Sequence, residues 1–446
     1  MGSKSYVLII IILAFASCTK DRTSDTLEYD TKLRNYISDA SETGNISYYE
    51  LPSSNDLANI PQDPRNVLTR EKVELGKQIF YDTGLAMDAV KASGLGTYSC
   101  ASCHLPTAGF RPGTAQGVAD GGIGFGFNGD GRVKNREYDE NELDVQSARP
   151  LSLINVAYVT NTFWNGQFGS TGVNEGTEDV WRLREDTKLN EIGYQGIETQ
   201  NIDGLKAHRI TINKELLDEY GYTPMFDAAF PSVNPTERYQ RFYASLAVSA
   251  YIRTILSDQA PFQSWLKGND DAMSLEEKKG AILFFGKANC TNCHFRPNLG
   301  SLEFHALGVK DMYQSPSFNT KESDRRNLGR GGFTLNPEDN YKFKVPQLYN
   351  LDDAPFFFHG SSKRTLEEVV DYKIKAETEN AKVSQQDLSI KFLSLDLSEE
   401  ERSNLLLFLK KSLRDPNLER HAPTEVRSGF CFPNNDPQSR FDLGCD

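Results

Sequence analysis

Cys100-Ala-Ser-Cys103-His104 and Cys290-Thr-Asn-Cys293-His294 are the same pentad, C-x-x-C-H, written twice in 446 residues. The spacing is the attachment signal for c-type haem. Two thiols two residues apart can add across the two vinyl groups of one porphyrin, and the adjacent imidazole becomes an axial iron ligand. The pentads use four of the seven cysteines and two of the six histidines. A redox or zinc CxxC turn followed by an incidental histidine is the competing reading. It would have to arise twice, so two covalent haems are expected, held by Cys100, Cys103 and His104 and by Cys290, Cys293 and His294.

Working outward, each pentad follows a stretch with helical spacing of apolar residues, "LTREKVELGKQIFYD" before the first and "LSLEEKKGAILFFGKANC" before the second. Ser274 and Glu277 form a capping box on the second. Both stretches carry Gly-x-x-x-Phe, at Gly76/Phe80 and Gly280/Phe284, and a glycine on one helix face lets another helix approach closely. The chain therefore contains an internal repeat. The fold class expected is mainly α, two cytochrome c-like domains, each around one covalent haem, with long irregular loops. The boundaries are 66–262 for the first domain and 270–418 for the second. A terminal helix, "SEEERSNLLLFLKKSL", is capped by Ser398 and Glu401.

The flanks read differently. Residues 1–18 form an export signal: Lys4, an apolar run from Tyr6 to Phe15, and Phe-Ala-Ser-Cys resembling a lipobox at Cys18. The run is too short to span a bilayer. A lipoprotein on the periplasmic side of the cell envelope, anchored through a lipid at Cys18, follows, with an ordinary cleaved signal as the other reading. Residues 19–65 are polar and read as a tether. In the tail, 419–446, Cys431 and Cys445 are left over and should pair in an oxidising compartment. "GGIGFGFNGDG" contains G-x-G-x-x-G without a preceding strand, so a flexible loop over the haem edge is expected rather than a nucleotide site.

Composition bounds the rest. With 38% apolar and 11% aromatic residues the chain can build real cores, and a net charge of −13 argues against nucleic acid and for a neutral or basic protein partner.

"LGKQIFYD", "CASCHLPTAGF", "LSLINVAY", "FWNG", "CTNCH", "FKVPQLYN", "APFFFHG" and "TLEEVVDY", in this order over residues 68–415, resemble the bacterial diheme cytochrome c peroxidase family, which includes MauG. The resemblance implies a peroxidatic first haem and an electron-transferring second haem. The substrate would be hydrogen peroxide, reduced to water with electrons from a small soluble donor, a cytochrome c or a cupredoxin. A MauG-like oxidase acting on a protein partner and a non-catalytic electron carrier are the alternatives. His104 and His294 would be proximal ligands, and Trp164 would lie between the haems. Glu198, with Gln195 nearby, is the acid–base candidate, although the family's usual Asn-Pro-x-Glu-Met is missing around it. The chain has no histidine between His104 and His208, so the first iron should be open at rest, with His208 the remaining ligand candidate. Opposite His294, where the family has methionine or tyrosine, the candidates are Tyr372 and Lys373, or neither. The resemblance also implies a calcium ion between the domains at the Ala354-Pro355 stretch, with the usual asparagine replaced near Arg149, and it allows a homodimer.

Overall fold

The structure, a computed structural model, describes residues 24–445, with side chains from residue 27. It is mainly helical, with two short antiparallel ladders. The helices used below are α1 (Ser24–Ala40), α2 (Arg70–Tyr81), α3 (Gly196–Ala207), α4 (Arg241–Arg253), α5 (Leu275–Phe285), α6 (Leu366–Lys375), α7 (Glu399–Leu407) and α8 (Pro437–Leu443). The ladders pair β1 (Gly122–Ile123) with β2 (Val133–Lys134), and β3 (Phe304–Ala306) with β4 (Lys342–Lys344).

Two helix crossings repeat. Thr69 caps α2 by accepting from the Lys72 amide, and α2 crosses α4 at Gly76, where a Cβ would lie 1.9 Å from the Ala247 carbonyl oxygen. Ser274 and Glu277 box the start of α5, which crosses α7 at Gly280 with the same 1.9 Å approach to the Asn404 oxygen. Each pentad sits on a 3-10 turn, Cys290–Asn292 directly after α5 and Cys100–Ser102 after α2 and two intervening 3-10 turns, Thr83–Leu85 and Ala92–Gly94. The glycine-face reading of the sequence is observed in both copies. Between the crossings lies a continuous core that includes Ile79, Phe80, Tyr251, Phe262, Trp265, Phe284 and Phe408.

Residues 24–65 are not a tether. α1 lies along α5 with Leu33 and Ile37 fully buried. Asp30 pairs with Lys278 at 2.7 Å, both nearly inaccessible, and accepts from Trp265 Nε1 at 2.7 Å. The chain then runs across to α4: the Leu51 amide donates to Gln263 Oε1 (2.7 Å), and Ile60 and Leu68 pack with Ala250 and Leu256. The polar residues that suggested a tether are the solvent face of a segment whose few apolar residues sit on one stripe. The export signal and Cys18 lie outside the described residues. Among those described, no helix is long and apolar enough to cross a membrane.

The glycine-rich stretch is likewise not a free loop. It is the β1–β2 hairpin, and its bend at Gly124, Gly126 and Gly129 uses positive φ. The tail pins it. Asp436 accepts from the Gly124 amide (3.0 Å), and Asp442 from those of Phe125 (2.9 Å) and Gly126 (2.8 Å). The tail is closed by the expected disulfide, Cys431–Cys445. It also reaches the first pentad, where Ser99 Oγ donates to Pro433 O at 2.9 Å.

Candidate functional site

After each pentad the backbone turns back through a bulky residue in the left-handed region, Phe110 at φ +54° and Leu299 at φ +50°. Such a conformation is costly for a large side chain and is kept where something needs it. Here it aims a carbonyl at the histidine. His104 Nδ1 donates to Phe110 O (3.0 Å) and His294 Nδ1 to Leu299 O (2.8 Å). A carbonyl can only accept, so Nδ1 carries the proton and Nε2 is left as a bare lone pair, the form a metal-ligating imidazole takes. Burial keeps both rings neutral, with their pKa lowered to about 4. None of the four pentad cysteines is paired in a disulfide. Burial pushes Cys100, Cys103 and Cys290 up to about 12, the opposite of a redox CxxC, whose thiolate is favoured. Nor is there a zinc set. Among the described residues the one ligand cluster, Cys293, Glu303 and His305, takes a single cysteine from the second pair and none from the first.

Both pentads face one continuous cavity. Cys100, Cys103 and His104 line it at the first pentad, Cys293 and His294 at the second, and Trp164 is part of the same wall. A cavity shared by two thiol-flanked, ligand-ready imidazoles fits two covalent haems. Trp164 is fixed from several sides: its Nε1 donates to Arg149 O (2.7 Å), and its own carbonyl accepts from the Lys344 amide (2.7 Å). Its ring stands edge-on to His359 at 6.2 Å, and His359 stacks on Phe343 at 3.6 Å. Trp164 thus lines the cavity that both pentads share.

Glu198 and Gln195 are elsewhere. The Glu198 carboxylate is fully buried against Arg253, accepting from Nε (2.8 Å) and Nη2 (2.6 Å), and Gln195 Oε1 accepts from the same Nη2 (3.1 Å). Neither side chain lines the cavity. They fasten α3 to α4, which corrects the acid–base assignment. The face α3 turns to the cavity carries Gln200, Asn201, Asp203 and Gly204, and at its end Ala207 and His208. Burial and the neighbouring Asp186 raise the Asp203 pKa. His208 is tied by Nδ1 to Asp144 (2.8 Å), whose charge raises its pKa. Sequence reasoning missed Asp203. The signal was a stripe at 200, 203, 204 and 207, flanked by 201 and 208, one helical face of polar and small residues.

At the second pentad, helix phase sends the two neighbours in different directions. The Tyr372 hydroxyl donates to Leu307 O, and the ring packs between Phe358 and Phe392, off the cavity. Lys373 lines the cavity. Its ammonium lies 5.0 Å from the Phe392 ring centre and 6.0 Å from that of Phe358, and burial lowers its pKa to about 8.

Residues 70–271 match the family model described as di-haem cytochrome c peroxidase. The cytochrome-c peroxidase IdrP1 of Denitromonas iodatirespirans is 28% identical, over 82% of this chain and 88% of that protein. The methylamine utilization protein MauG of Methylorubrum extorquens is 27% identical, over 80% and 82%. A solved structure of a MauG-like protein associated with microbial copper homeostasis superposes with a TM-score of 0.55 at 25% identity, covering 82% of this chain and 95% of that one.

Proposed function

We propose that the chain, whose residues 70–271 match the di-haem cytochrome c peroxidase family model, is a member of that family and a periplasmic peroxidase that reduces hydrogen peroxide to two waters, with two protons and with two electrons from a small soluble donor. Two cytochrome c-like domains, 66–262 and 270–418, would each hold one haem, the first through Cys100, Cys103 and His104 and the second through Cys290, Cys293 and His294. When bound, the haems supply redox-active iron; the rest is done by the chain.

The observation that carries the reading is the inequality of the two ends of the cavity. His208, at the end of α3, is close enough for its charge to act on His104 and is itself acted on by Asp203, so the polar wall of Gln200, Asn201 and Asp203 belongs with the first pentad. Lys373 acts in the same way on His294, and with Phe358 beside it gives the second pentad a largely apolar wall with one amine. Asp203 takes the proton from one peroxide oxygen on its carboxylate and returns it to the other as the O–O bond breaks, so that water can leave. The amide groups of Gln200 and Asn201 orient the bound peroxide. Lys373, whose ammonium burial makes easier to deprotonate, would supply an amine to the haem held by His294. Trp164, between the ends, carries electrons from the second site to the first.

A second reading, a MauG-like oxidase acting on a protein partner, is favoured by one observation: the first histidine after the pentad, His208, is engaged with Asp144 at its Nδ1 rather than standing free as a cap. Rapid mixing of the donor-reduced holoprotein with peroxide separates the readings. The peroxidase gives donor oxidation stoichiometric with peroxide over many turnovers; turnover no faster than that of free haem would sink it. Resting-state EPR reports the group opposite His294, and loss of its signal in Lys373→Met but not in Tyr372→Phe is expected.

A further inference from the structure

Arg149 carries a charge into the middle of the molecule. It is 2% exposed, and its guanidinium donates from Nη1 to the carbonyls of Thr114 (2.6 Å) and Ala115 (3.1 Å) and from Nη2 to that of Pro112 (2.9 Å). Three carbonyls of one loop, just after the first pentad, therefore converge on one cation, and none of its partners is a carboxylate. Oxygen cradles of this kind suit a hard divalent ion. Here the cradle is filled by a side chain.

The calcium ion implied by the resemblance belongs at the Ala354-Pro355 stretch, partly on backbone carbonyls. The guanidinium stands 5.3 Å from the centre of the Phe356 ring, the residue that follows that stretch. A divalent ion there would meet Arg149 at its carbonyls and feel the buried Arg111 besides. The two guanidiniums already repel one another: burial first and the Arg111 charge second lower Arg149 to about 9. The residues present do not fit calcium.

The main chain of Arg149 explains why the position needs a fixed cation. Its amide donates to His359 O (2.8 Å), and its carbonyl accepts from Trp164 Nε1 (2.7 Å). One residue thus ties the loop behind the first pentad to Trp164 and to His359. We infer that the Arg149 guanidinium is a built-in replacement for a bound divalent cation, and that it positions Trp164 in the wall between the two haem sites without a metal.

The inference rests on the di-haem reading, and haem content, counted in every sample, keeps the two apart. Failure of that reading shows as fewer than two haems per chain; failure of this one shows as a calcium effect in protein holding both. The holoprotein dialysed against EGTA should contain no stoichiometric calcium and should melt at the same temperature with or without millimolar Ca2+. Bound calcium, or a melting point that rises with it, would overturn the proposal. Arg149→Ala takes the donor from the Thr114 and Pro112 carbonyls and leaves that of Ala115 with Ser361 Oγ alone, and it should melt roughly 2–6 °C lower. Unlike the parent, it should recover at least half of that loss with Ca2+, a rescue that a merely structural side chain would not show. A variant as stable as the parent, or one that Ca2+ does not rescue, would also overturn it. Should Arg149→Ala not fold, Arg149→Lys takes its place: a single ammonium cannot make the forked contacts, so an intermediate melting point, raised by Ca2+, is expected.

Discussion

Asp203 and Glu198 stand five residues apart on α3 and do opposite things with the same functional group. Glu198 and Arg253 are both fully buried, and the pair is closed at 2.6 Å. Glu198→Gln would leave an uncompensated buried guanidinium and should cost about 3–5 kcal/mol of stability, with the peroxide step slowed little in the protein that stays folded. For Asp203 the sign is reversed. Its pKa in the folded chain is raised by burial and by Asp186, so the folded state holds the proton more tightly than the unfolded one. The stability this contributes is complete below the unfolded pKa and is lost as pH rises through the folded value. Asp203→Asn, which cannot ionise, should therefore melt no lower than the parent at pH 7, with any gain shrinking toward acid. Its peroxide turnover should fall by roughly 10²–10⁴. In the parent, turnover should drop as pH falls through the raised pKa, because the carboxylate must start unprotonated, and the variant should lack that limb. Melting curves and pH–rate profiles of both variants test the assignment; equal turnover in Asp203→Asn and the parent would end it. This swap shows where reading residues from the chain stops. The pentads were legible because their chemistry is complete within five residues. Which of two carboxylates meets the cavity depends on the rotation of α3, and that is set by Arg253, 55 residues further on. Tyr372 and Lys373 differ in the same way, by one step of about 100° around α6.

At the scale of elements, the two glycine crossings are the strongest structural demand in the fold. Alanine in place of a helical glycine ordinarily gains about 1 kcal/mol from propensity. At Gly76 and Gly280 the added Cβ would lie 1.9 Å from a backbone carbonyl oxygen of the facing helix, which cannot rotate away as a side chain can. The helices must separate, and overpacking of this kind costs about 1–3 kcal/mol or more. Gly76→Ala and Gly280→Ala should each lower the melting temperature by roughly 1–3 °C, and calorimetry of the two holoproteins decides it; a variant melting above the parent would refute the packing argument. The crossings were readable because the demand falls on one residue type at one position. α1 was not. Leu33 and Ile37 are one turn apart and fully buried, but two apolar residues among acids, serines and threonines look like solvent-facing chain until the groove beside α5 is known. The same holds for the glycine-rich hairpin, whose order comes from Asp436 and Asp442 more than 300 residues away.

At the scale of the molecule, each end of the described chain is fastened to a site far from it in sequence. α1 packs on α5, ahead of the second pentad, and the tail crosses to the first. There Ser428 donates from its amide to Asp82 (3.0 Å), Thr83 Oγ1 donates to Cys431 O (2.9 Å), and Ser99 Oγ donates to Pro433 O. The clasp therefore closes over the segment that enters the first haem turn, while none of these partners belongs to the second. Cys431 and Cys445 lie 14 residues apart, and removing a cross-link over a loop of that size releases about 3 kcal/mol of chain entropy into the unfolded state. Cys445→Ser paired with Cys431→Ser should accordingly lower the melting temperature, by roughly 3 °C for this much free energy in a chain of this size. The more telling result is where the change appears. The carbonyls of Cys431 and Pro433 are held by the geometry that the disulfide closes, and they meet Thr83 and Ser99 beside His104 alone. The electronic spectrum and EPR of the first haem should broaden or shift, and those of the second should stay as in the parent. Equal shifts at both haems would mean that the tail supports the molecule as a whole, and no shift at either would mean that the disulfide closes a loop the first site does not feel.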